Sequence, residues 1–125
     1  MTPFLILLGG FSGALGVSLS ALAAHHPGGT TLAPAAQFLL AHGPVFLALA
    51  ALHRTKALPG WMIAAGTVLL GLGLAFFAGD LSRRVFFGER LFPMAAPVGG
   101  ALLIGGWLWI AVAGLTSLFS RTKAD

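Results

Sequence analysis

Four runs of about twenty apolar residues, separated only by short polar breaks, constrain this chain more than any motif in it. A helix rises ~1.5 Å per residue, so each run matches the ~30 Å hydrocarbon core of a bilayer. An ordinary soluble domain is roughly 25% charged. Here 8% of residues are charged and 58% are apolar, which excludes a water-soluble fold. The 125 residues leave room for one domain, residues 1–125, and for no second, soluble one.

The charges fall at the ends of the runs. The net charge of +4 therefore speaks for anchoring at a membrane surface and against nucleic acid as a partner. Without cysteine there are no disulfides, thiolate metal sites or Fe–S clusters. The first run ends Ala21-Leu22-Ala23-Ala24, like the tail of a cleavable signal. It has no Lys or Arg before it, however, and its glycines suit helix packing, so it is expected to be retained as a membrane helix.

The expected spans are residues 4–24, 35–52, 60–79 and 94–119. His25-His26-Pro27-Gly28-Gly29 stops the first, and a loop continues to Pro34, which opens the second. Pro44 should kink that second helix and free the carbonyl of Leu40. Residues 80–92, the most polar stretch, are expected to lie along the surface as a short amphipathic connection. The fold class is thus all-α, a four-helix transmembrane bundle running up-down-up-down with both termini on one side. Arg54, Lys56, Arg121 and Lys123 fall on the terminal side, against Arg83, Arg84 and Arg90 opposite, which favours cytoplasmic termini. The uniformly apolar helices, without barrel alternation, fit a bacterial inner membrane.

Two sets of residues stand out. Gly9, Gly13, Gly16 and Ser20 recur at helical spacing, and Gly66, Gly73, Gly99 and Gly106 offer matching faces for close helix packing, within the chain or with a partner. His25, His26, His42, Asp80, Arg83, Arg84 and Arg90 form a candidate polar cluster in one half of the membrane, with His42 the deepest. His25 and His42 are weak candidates for a metal, since no HxxxH or HExxH spacing joins them, and a haem would need two histidines at similar depth. The alternatives are a local structural role, with His42 on the carbonyl freed by Pro44 and Asp80 on an arginine of its own loop, or a proton or solute route. No cofactor is predicted, although the apolar faces are compatible with contact to a lipid or a quinone. Nothing matches GxSxG or a phosphate-cradling loop, and Asp80 and Glu89 suit a solvated face better than an acid/base pair, so catalysis is not expected.

Several blocks carry a resemblance: Gly13-Ala14, Ala23-Ala24-His25, Ala41-His42, Phe77-Ala78-Gly79-Asp80-Leu81, and Pro93-Met94-Ala95-Ala96-Pro97-Val98-Gly99-Gly100 through Gly106-Trp107. Together they resemble the YgdD-like family, small four-helix membrane proteins catalogued as domain of unknown function number 423 and related to animal transmembrane protein 256. The chain departs from that pattern at His26-Pro27-Gly28-Gly29 and Gly43-Pro44. The resemblance implies the four-helix architecture and interest in His25 and His42, and it brings no reaction. The leading expectation is an accessory or structural subunit packed on other membrane subunits, or a homo-oligomer, in contact with the lipid bilayer. The alternative is a small transporter or proton-linked permease using His42 and Asp80.

Overall fold

The computed structural model describes the backbone of residues 1–122 and the side chains through Phe119. The Arg121 side chain and Lys123, both counted above on the terminal side, lie outside that range. Four helices follow in order: α1 Thr2–His25, α2 Gly29–Arg54, α3 Gly60–Phe87 and α4 Ala95–Thr122. Each is long and apolar enough to cross a membrane. They pack sequentially, α1 on α2, α2 on α3 and α3 on α4, and the short connections make neighbours antiparallel. α2 and α3 form the more buried middle, and α1 and α4 lie outside them.

The first turn is tighter than the sequence suggests. Pro27 forces His26 into extended backbone (φ −97°, ψ 142°) and ends α1 there. α2 then begins at Gly29 rather than at residue 35, because Gly29, lacking a side chain, can lie against the backbone of Ala23. Pro34 is consequently inside α2 and does not open it, and the helix runs on through Pro44 as well.

A second correction concerns residues 80–92. α3 does not stop at Gly79 but continues through Phe87, so Asp80 belongs to the helix and not to a surface connection. No glycine or proline interrupts residues 80–87, and Asp80 and Arg84 pair at i,i+4, an order that supports a helix. Gly88 ends it in the left-handed conformation (φ 70°), its N–H donating to the Arg84 carbonyl at 3.1 Å. The true connection is residues 88–94.

Glycine decides how closely the helices meet. A Cβ on Gly9 would stand 2.9 Å from the Gly43 carbonyl oxygen, which marks a backbone crossing of α1 on α2. A Cβ on Gly99 would stand 2.5 Å from the backbone nitrogen of Phe77 and 2.7 Å from the Gly73 oxygen, the equivalent crossing of α4 on α3. Gly16 rests against Leu40 and Gly106 against Leu70. At the central joint, Leu39, Phe46 and Leu49 of α2 join Ile63, Leu70 and Leu74 of α3 in one apolar cluster.

A pair of neighbouring substitutions separates this close approach from simple helix propensity. Gly99→Ala should destabilise the protein by about 1–3 kcal/mol through overpacking. Gly100→Ala, whose new methyl meets nothing within 4 Å, should be neutral or slightly stabilising. Unfolding midpoints in detergent would distinguish the two.

Candidate polar sites within the bundle

The residues expected to form one cluster are divided by the fold into separate sites. His42, on the inner face of α2, is 4% exposed. Its Nδ1 lies 2.7 Å from the carbonyl of Phe38, one turn back on the same helix, and its Nε2 lies 3.2 Å from the indole Nε1 of Trp107 on α4. A carbonyl can only accept and an indole N–H can only donate. Those two partners fix the tautomer, with the proton on Nδ1 and a lone pair on Nε2 facing Trp107. The acceptor is Phe38, not the Leu40 carbonyl opposite Pro44. The ring also stacks on Phe38, which in turn meets Phe77 at a centroid distance of 4.6 Å.

Asp80 is fully buried. One carboxylate oxygen accepts from Arg84 and the other accepts the backbone N–H of Leu91 at 2.8 Å, so a single side chain ties α3 to the α3–α4 connection. The partner is an arginine of its own helix rather than of a loop. The Nε of Arg84 is buried and meets no acceptor among the described residues. Arg83 pairs with Glu89 at 3.0 Å on the surface, and Arg90 is exposed.

His26 accepts the Gly28 N–H on Nδ1 at 2.9 Å, and its ring meets the edge of Phe86 on α3. His25 is exposed at the end of α1. Phe38 and Phe77 face each other across α2 and α3. His42 lies one turn from that level and Asp80 nearly one turn from it in the opposite direction, a separation of roughly 10 Å along the bundle at ~1.5 Å per residue. Among the described residues no three His, Cys, Asp or Glu come together to hold a metal. Both nitrogens of His42 are hydrogen-bonded within the protein, and His25 lies well away from it at the exposed end of α1.

The glycine faces divide in the same way. Gly9, Gly16, Gly73, Gly99 and Gly106 are used inside the chain, between α1 and α2 or between α3 and α4, and are not available to a partner. Gly66 makes ordinary contact with Trp109. Gly13 would carry a Cβ into open space, and Ser20 is exposed. The buried stripe of α1 is Leu5, Gly9, Ser12 and Gly16, so Ser12 stands between Gly9 and Gly16 in the place expected for Gly13.

Trp107 is the functional-looking residue that spacing did not single out. Its signal is a tryptophan in the middle of an apolar run, far from the interfaces where indoles ordinarily find a polar partner. A second unnoticed contact, from His53 Nδ1 to the Thr2 hydroxyl at 2.9 Å, joins α1 to α2 at the terminal end.

Residues 12–100 match the family described as protein of unknown function (DUF423). The chain belongs to this family. The matched span contains His25, His42 and Asp80, while Trp107 lies beyond it. No curated protein and no solved structure matches the chain.

Removing either partner of this hydrogen bond should cost stability. His42→Leu leaves the Trp107 N–H unpaired and Trp107→Phe leaves the buried His42 Nε2 lone pair unpaired, each a loss of about 1–3 kcal/mol. In denaturant titrations the double variant should lose less than the sum of the two single losses, and strict additivity would contradict the hydrogen bond. Nitrogen NMR at neutral pH should find the His42 proton on Nδ1.

Proposed function

We propose that this integral membrane protein works by packing rather than by catalysis, as an accessory or structural subunit whose outer helix docks on another membrane subunit or on a second copy. The supporting observation is the outward face of α1. Gly10, Ala14 and Ala21 are all exposed there, and neither Gly10 nor neighbouring Gly13 would meet anything with an added Cβ. Small residues at this spacing let a second helix approach to backbone distance, the commonest way helices associate where lipid offers no hydrophobic drive. The glycines of the opposite face are already consumed by α2, so this stripe is surplus to the chain's own fold.

The bacterial inner membrane with cytoplasmic termini is the setting we favour, from the apolar helices and from the sequence count of four basic residues on the terminal side, Arg54, Lys56, Arg121 and Lys123, against three opposite. A transport route through His42 and Asp80 is the weaker reading. Each of these groups is satisfied by partners within the protein, His42 by Phe38 and Trp107 and Asp80 by Arg84 and Leu91, and they lie at different levels of the bundle.

The absence of native cysteine makes the test direct. Cysteine placed at Gly10, Ala14 or Ala21 and labelled with a benzophenone maleimide should photocrosslink to a protein in the native membrane. The same label at exposed Val68 on α3 should crosslink to lipid alone. Lipid adducts at all four positions would end the proposal.

A further inference from the structure

An open groove of about 450 Å³ runs between α1 and α3 across the face of α2. It exists because the helices pack sequentially, so α1 and α3 flank α2 without closing on each other, and because α3 turns Gly71, Ala75 and Gly79 toward it. Phe46 of α2 lies on its floor, and the only hydroxyls along it are Ser12 and Ser82. It extends from Leu8 to Leu19 on α1 and from Gly71 to Ser82 on α3, in both cases roughly 16 Å at ~1.5 Å per residue.

That length is about half of a ~30 Å hydrocarbon core. Gly71 lies midway along α3 between Trp61 and the Arg83-Arg84 pair, so the groove occupies one leaflet and opens at the charged end of the bundle. Its lining is apolar apart from Ser12 and Ser82, as an extended hydrocarbon chain requires. A single extended hydrocarbon chain fits it.

The mouth selects what that chain is attached to. Arg83 lies one helical turn beyond Gly79 and next to Ser82, and Arg84 and Arg90 occupy the same end. Asp80 and Glu89 are the acidic residues there, already engaged by Arg84 and Arg83 respectively, so three cations against two anions leave a net charge of +1. The Arg83–Glu89 pair is exposed on both sides and can exchange its partner for a phosphate. Basic residues above a cleft between membrane helices are the ordinary recognition element for anionic headgroups. We propose that the groove holds one acyl chain of an anionic phospholipid, with the headgroup phosphate at Arg83. The groove shares no residue with the outward stripe of α1, so this inference stands or falls separately from the docking proposal.

Native mass spectrometry of the full chain in mild detergent, with phosphatidylglycerol or phosphatidylcholine of identical chains, tests it. The protein should retain one phosphatidylglycerol in preference to phosphatidylcholine by about fivefold, the ratio that a single arginine near the surface supplies. Ala75→Phe, which fills the groove from an exposed position, should abolish the adduct without lowering the melting temperature. Gly71→Leu, a site with open space around its Cα, should do the same from the deep end and serves if the first variant misfolds. Arg83→Gln should bring the two lipids to parity while an adduct persists. Equal retention of both lipids by the unaltered protein would overturn the proposal. So would an adduct untouched by groove filling, an undiminished preference in Arg83→Gln, or a protein dimer that the groove-filling Ala75→Phe or Gly71→Leu abolishes.

Discussion

Backbone meeting backbone at glycine is the contact on which the rest of the structure depends. In lipid, apolar side chains gain nothing by leaving the solvent for one another, so helices associate through van der Waals contact and the occasional interhelical hydrogen bond. Both hairpins use the same solution, Gly9 against Gly43 in the first and Gly73 against Gly99 in the second. With Leu40 seated on Gly16 and Leu70 on Gly106, each pair of helices becomes a close-packed unit. The two units then meet through larger side chains at the α2–α3 joint, leaving α1 and α4 on the outside.

The second constraint is that no polar group in the hydrocarbon can rely on water. Hydroxyls solve it locally: Ser18, Thr67 and Ser117 each donate to a carbonyl three or four residues back on their own helix. The two demanding groups recruit a second element. His42 uses its own helix for one nitrogen and Trp107 of α4 for the other, bridging the two hairpins. Asp80 uses Arg84 of its own helix and the N–H of Leu91, which anchors the connection into α4. Both arrangements leave His42 and Asp80 hydrogen-bonded within the protein.

Much of the fold was legible from the sequence, because the four apolar runs, the antiparallel order of neighbouring helices and the glycine-faced helices all follow from local composition and spacing. The boundaries that went astray did so for identifiable reasons. Pro34 looked like the start of α2, but Gly28 and Gly29 allow a shorter turn and an earlier start. Gly79-Asp80 looked like the end of α3, but the Asp80–Arg84 pair carries the helix on to Gly88. Of the candidate site, His42 and Asp80 were visible as ionisable residues in apolar surroundings. Their partners Trp107 and Leu91 were not, since those contacts join residues far apart in the chain.

The sequence by itself determined the solvent and the number of crossings, because the free energy of placing a segment in lipid is a sum over its own residues and depends little on its neighbours. Only the tertiary structure decided which glycines are spent inside the chain and which remain outside, where Asp80 and His42 find their partners, and that α1 and α3 stand apart. Those outcomes depend on the complementarity of surfaces that meet across the bundle. Helical spacing places Gly9 and Gly10 on different faces of α1, but which face meets α2 is fixed only when the two helices pack.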